Sequence, residues 1–117
     1  LAGDAGAARD ILDQALAIAD AAHNEEESAI IRTLQAELRS LAGDAASGAA
    51  EAADAIGRIR KVGNPLELGR ALIRAARIYR ASGDLDAANQ LTTEAAGIFE
   101  KLGAALDLAA ARALVTA

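Results

Sequence analysis

The chain has 117 residues, enough for one domain. Hydrophobic residues make up 53% of it but aromatic ones only 2%, so alanine has to build the core by letting helices approach closely. There is no cysteine, which excludes a disulfide framework and thiolate chemistry, and the net charge of −5 argues against nucleic acid as the main partner.

Asp4 is predicted to cap a first helix running to about Ala22, with Ile11, Leu12, Ala15, Leu16 and Ile18 on its apolar face. His23-Asn24 ends it. Glu25-Glu26-Glu27 opens a second helix, where negative charge complements the helix dipole. Ile31, Leu34, Leu38 and Leu41 give it a buried stripe at spacings of 3, 4 and 3. Gly43-Asp44 turns into a third helix reaching about Val62. Gly48 and Gly57 each cost it about 1 kcal/mol relative to Ala, and both are read as close approaches of a neighbouring helix. Gly63-Asn64-Pro65 is the strongest break, with Pro at the first position of the fourth helix. The core face of that helix is Leu68, Leu72, Ala75, Ala76 and Tyr79. Gly83 ends it and Asp84 caps the fifth, which buries Ala88, Leu91, Ala95, Ile98 and Phe99. Gly103 closes the fifth helix. A sixth begins near Ala105 and continues through Leu108, Ala111 and Val115. No stretch alternates apolar and polar residues as a strand does.

The punctuation repeats. Gly3-Asp4, Gly43-Asp44 and Gly83-Asp84 recur at a spacing of 40 residues. In the same register Ala55, Gly57, Lys61, Gly63, Leu66 and Leu68 meet Ala95, Gly97, Lys101, Gly103, Leu106 and Leu108. Self-similarity at a fixed period of this size is the mark of a solenoid. Short connections make successive helices antiparallel neighbours. The expected fold is therefore all-α: six helices in a right-handed solenoid of antiparallel pairs, forming a single domain over residues 1–117. A chain that starts at Leu1 and contains no Met is expected to be an excerpt of a longer array. Neither end carries a polar cap, since Ile11, Leu16, Leu114 and Val115 are apolar. Either a longer array or a homo-oligomer joined through the repeat ends would cover them.

Catalytic constellations are missing from the sequence. It has one histidine and no cysteine, which leaves no basis for a zinc site. His23 sits at a helix C-terminus and reads as an end cap. The pairs Asp10/Asp13 and Asp84/Asp86 read as polar-face or capping residues rather than as an acid and a base. Glu25 to Glu27 read as a solvated helix start, not a cation site. Neither a phosphate-binding glycine loop nor a nucleophile elbow occurs, so no enzyme activity, cofactor or metal is expected. No apolar run approaches the ~20 residues needed to cross a bilayer, and no signal peptide leads the chain. A cytoplasmic home is the default expectation.

The central unit resembles a tetratricopeptide repeat. Leu72, the small pair Ala75-Ala76 and Tyr79 fall where that family places a large residue, a small residue beside leucine, and an aromatic along its first helix. Ala88 and Ala95 fill the small positions of the second helix, Gly83-Asp84 the turn, and Pro65 lies near the helix-opening proline. The match covers residues 65–103. It departs from the family pattern at Leu72, where Trp is usual, and at Thr92, where an aromatic is common. Its period of 40 exceeds the usual length of about 34. The longer form, closed by Leu102-Gly103, is similar to repeats of large bacterial regulators and signalling ATPases. A plain antiparallel helical bundle is the alternative.

Charge singles out one feature. Residues 56–80 carry seven Lys and Arg against Glu67 alone, inside an otherwise acidic chain. Arg70, Arg74, Arg77 and Arg80 fall at spacings of 4, 3 and 3 on one face of the fourth helix. Like charges at such spacings destabilise a helix, so they need counter-charges. One reading takes these from the chain itself, with Glu37 one repeat before Arg77. The other takes them from a bound acidic peptide or partner protein, which the planar guanidinium fork suits. The resemblance puts this face in the concave groove of a repeat array. It implies a non-enzymatic protein–protein interaction scaffold. A regulatory or sensor segment of a signalling ATPase or transcription regulator, and a structural bundle without ligand, stand as alternatives.

Overall fold

A left-handed residue recurs at every twentieth position: His23, Gly43, Gly63, Gly83 and Gly103 have φ of 55°, 101°, 82°, 90° and 67°. After the first four come Asn24, Asp44, Asn64 and Asp84. Their side chains accept hydrogen bonds from the backbone N–H of Glu27, Ser47, Glu67 and Ala87. Each pair of residues thus ends one helix and caps the next. The 40-residue sequence repeat is two such helix-and-turn units. His23 does the work of glycine at the first turn, where a Cβ makes the left-handed backbone strained.

The computed structural model describes the backbone of residues 2–116 and the side chains of residues 6–115. It contains six helices: α1 (Ala2–Ala21), α2 (Glu25–Leu41), α3 (Ala45–Val62), α4 (Pro65–Ser82), α5 (Leu85–Leu102) and α6 (Ala105–Thr116). There is no strand among the described residues. The helix α1 already runs through Gly3-Asp4, so this copy of the dipeptide is not a turn and Asp4 is not a cap. The alanines on either side carry the helix through it. Each helix packs on its neighbours in sequence, and α2 also packs on α4. The molecule measures 33 × 30 × 22 Å.

Phe99, Ile59, Leu72 and Ile78 are the large side chains at the centre, surrounded by buried alanines such as Ala36, Ala52, Ala71, Ala75 and Ala95. Close approach is literal at two glycines. A Cβ on Gly48 would lie 2.8 Å from the backbone oxygen of Ala36, and one on Gly69 would lie 2.6 Å from the Phe99 ring. Gly57, by contrast, faces open space, so its expected close contact is absent.

The buried face of α2 keeps Ile31 of the expected stripe but otherwise consists of small residues rather than leucines. Ser28, Ala29, Ile31, Thr33 and Ala36 are buried there, Leu34 and Leu38 are half-buried, and Leu41 is 80% exposed. Tight packing against α3 and α4 favours small side chains around Ile31. The leucines turn towards α1, where Leu34, Leu38 and Leu41 line a shallow apolar hollow with Ala8, Ile11 and Leu12. The neighbour of α1 is α2, so Ala19 is buried while Ile11 and Ile18 are exposed. On α4, Tyr79 is half-buried rather than enclosed, and Ile78 takes the interior position. Helix α4 packs on α2, α3 and α5, and the ring lies partly exposed at the edge of that core. Val115 at the end of α6 is exposed as well.

Candidate functional site

The four arginines of α4 differ in what holds them. Arg70 donates from Nε and Nη2 to the two carboxylate oxygens of Asp107 on α6, at 3.2 and 3.4 Å. Its Nη1 also lies 3.5 Å from Glu67. Arg77 donates from Nε to Glu37 Oε2 on α2, at 2.9 Å. Arg74 donates from Nη1 to the Thr33 hydroxyl at 3.2 Å, and that hydroxyl donates in turn to the Ile30 carbonyl at 2.7 Å. Arg80, half-buried, has no ion-pair partner among the described residues. One helix face therefore carries two neutralised guanidinium groups and two without a carboxylate in contact.

The electrostatics follow the geometry. The hydrogen bond to Asp107, then the charge of that carboxylate, hold Arg70 above the ordinary arginine value. Burial pulls Arg74 below that value; the more distant Glu67 and Glu37 oppose the shift, and Arg77 and Arg70 add to it. A partly desolvated guanidinium with most of its five donors free is the group on this face most in need of an anion.

Three helices contribute to the face. Between α2 and the start of α4, Glu26 accepts from Asn64 Nδ2 at 3.1 Å, and further along Thr33 meets Arg74 and Glu37 meets Arg77. The separations in sequence are 38, 41 and 40 residues, close to the length of the repeat. The internal counter-charge expected for Arg77 at Glu37 is present. Asp107 and Thr33 escaped the sequence reading. Asp107 lies 37 residues from Arg70, one helical turn short of the repeat length, so a search widened by a turn would have reached it.

The other residues weighed in the sequence have plain structural roles. Asp84 caps α5, Asp13 accepts from Gln35 Nε2 at 2.9 Å, and Glu25 to Glu27 occupy the first turn of α2. No cluster of His, Asp and Glu suited to a metal ion occurs among the described residues. No helix of the described residues is long and apolar enough to cross a membrane. Compared with protein-family models, curated proteins and solved structures, the chain matches none.

Proposed function

We propose that this protein is a non-enzymatic scaffold, built as a tetratricopeptide-like right-handed solenoid, that holds an acidic peptide of a partner protein across the α2–α4–α6 face. The observation that carries the reading is the division of the arginine stripe: Arg74 and Arg80 are left without a carboxylate while Arg70 and Arg77 are neutralised. Two further observations support the architecture. Contacts between α2 and α4 keep a separation near 40 residues, as parallel first helices of successive repeats would. Contacts between α1 and α2 pair Asp20 with Ser28 and Asp13 with Gln35, so one number falls as the other rises, as in an antiparallel pair.

An acidic peptide titrated into the protein should bind and weaken with added salt, because exposed charges are screened over about 8 Å at physiological ionic strength. The double substitution Arg74→Gln and Arg80→Gln should weaken binding by at least about tenfold, the worth of one charge-assisted hydrogen bond. Circular dichroism should leave the helical signal unchanged. Failure of every acidic peptide to bind the wild type would leave the stripe a structural feature. A second reading, a regulatory segment that senses a small ligand, is favoured by a polar cleft between α1, α2 and α3 lined by Asp20, Arg32, Asp54 and Arg58.

A further inference from the structure

Two junctions of the same design lie 40 residues apart. At one, α4 packs against both α3 and α5; at the other, α2 packs against both α1 and α3. At the α3–α4–α5 junction Leu72 is fully buried, and Leu68 and Ile98 pack on the same core. There the Arg60 guanidinium crosses from α3 to α5 and donates twice to Glu94, at 2.5 and 2.7 Å. Forty residues earlier, the positions of Leu72, Leu68, Ile98 and Arg60 hold Arg32, Ser28, Arg58 and Asp20. The position of Glu94 holds Asp54, again a carboxylate.

Those exchanges turn a filled and bridged junction into an open cleft of about 840 Å³ between α1, α2 and α3. That volume falls within the range of small-molecule sites, about 300–1,000 Å³. A cation facing a carboxylate has become two carboxylates, Asp20 and Asp54, in one cleft. Each is only partly answered from within. Asp20 accepts from the Ser28 hydroxyl at 2.6 Å and lies 3.7 Å from Arg32 Nη2. Asp54 accepts from Arg58 Nε at 3.1 Å, one turn along the same helix. Arg32 takes the place of a core leucine, and its buried Nε has no hydrogen-bond partner among the described residues. A buried donor left unmade is costly, so this lining is poorly suited to being an empty surface. Asp20, Glu25 and Asp54 balance Arg32, Arg58 and Lys61, so the cleft favours a ligand with both charges over one with either.

We propose that this cleft binds a small zwitterion of the cationic amino-acid class. The cationic end lies between Asp20 and Asp54, repeating the part Arg60 plays against Glu94. The carboxylate end meets Arg58 and Lys61, three residues apart on one face of α3. This site is separate from the α2–α4–α6 face, and its test does not depend on peptide binding there.

The probe is L-arginine, titrated into the whole chain and followed by calorimetry and by backbone amide shifts. Saturable binding is expected, with shifts centred on Ser28, Arg32, Asp54 and Lys61. Agmatine keeps the guanidinium and the amine but lacks the carboxylate, and should bind roughly tenfold more weakly. Lys61→Gln, at an exposed position, should weaken arginine but not agmatine. The double substitution Ser28→Leu and Arg32→Leu copies the filled junction and should abolish binding while raising the melting temperature. Asp20→Arg should also abolish it, by restoring a bridge to Asp54. The proposal is overturned if arginine does not saturate at millimolar concentration. Equal binding of agmatine and arginine, or full binding by the filled double variant, overturns it too.

Discussion

The α3–α4–α5 junction and the α1–α2–α3 junction share their turns, their caps and their helix order, yet one is core and the other is cleft. Leu72 and Arg32 stand at the same repeat position, as do Arg60 and Asp20. The difference teaches that the repeat conserves backbone punctuation within the chain more strictly than it conserves what faces inward. Helix ends need a left-handed residue and a cap whatever the side chains between them do. The gap between alternate helices can be filled with apolar side chains or lined with polar ones, and both leave the helices standing.

The sharpest way to break this comparison is to truncate the matched pair. Leu72→Ala removes a fully buried side chain and should cost about 2–5 kcal/mol. Arg32→Ala removes a partly exposed one that ends at a weak 3.7 Å pair, and should cost less than about 1 kcal/mol. Urea denaturation of both variants measures the ratio. Equal losses would mean that Arg32 is as much a part of the core as Leu72, and the distinction between the junctions would fall.

Glycines make a second, smaller contrast. A Cβ at Gly69 would meet the Phe99 ring at 2.6 Å, so Gly69→Ala should destabilise by roughly 1–3 kcal/mol through overpacking. Gly57 lies in the wall of the open cleft with nothing near its missing Cβ. Gly57→Ala should instead stabilise by about 0.5–1 kcal/mol, the helix propensity gained. Thermal melts with opposite signs would support the assignment of filled and open junctions. A loss of stability at Gly57→Ala would show that something does close on that wall.

The turns from His23 to Gly103 were legible in the chain, though Gly3-Asp4 was not one of them, and so were six helices and the partnership of Arg77 with Glu37. They rest on local chemistry or on the repeat length itself: glycine at a left-handed position, a short polar side chain at a cap, a fixed offset of 40. Of the burial along α2 only Ile31 was legible, because hydrophobic periodicity ranks leucine above alanine and threonine. Where backbones approach as closely as Gly48 and Ala36 do, volume decides instead, and Ala29, Thr33 and Ala36 go inside while Leu41 stays out. Tyr79 was misplaced as well. The resemblance implies an interior place for it, but Ile78 is the buried side chain there and the ring is only half-buried. The cleft was within reach of the repeat alignment. Carrying the 40-residue register back to Ser28 and Arg32 would have set them against two core leucines.

The smallest expected effect tests the bridge that one junction has and the other lacks. Arg60 and Glu94 are joined by two short hydrogen bonds, but their side chains are 46% and 37% exposed. Solvent screens such a pair, so a double-mutant cycle with Arg60→Gln and Glu94→Gln should give only about 0.2–1 kcal/mol of coupling. Its pH dependence has a definite sign. The hydrogen bond from Arg60, and less strongly its charge, depress Glu94 below the ordinary carboxylate value of 4.5. A carboxyl whose pKa is lower in the folded chain stabilises it at pH above the unfolded value. That contribution fades as pH falls below 4.5 and through the depressed folded value. The stability gap between wild type and Glu94→Gln should therefore be constant near neutral pH and close in acid. Arg60 is held above its ordinary value by the same hydrogen bond and stays charged throughout that window. Asp54→Asn removes a carboxylate paired only within α3, so its loss should be confined to the few tenths of a kcal/mol typical of a pair one helical turn apart. A gap at Glu94 that widens in acid, or no coupling at all in the cycle, would remove the bridge as the feature that separates the closed junction from the open one.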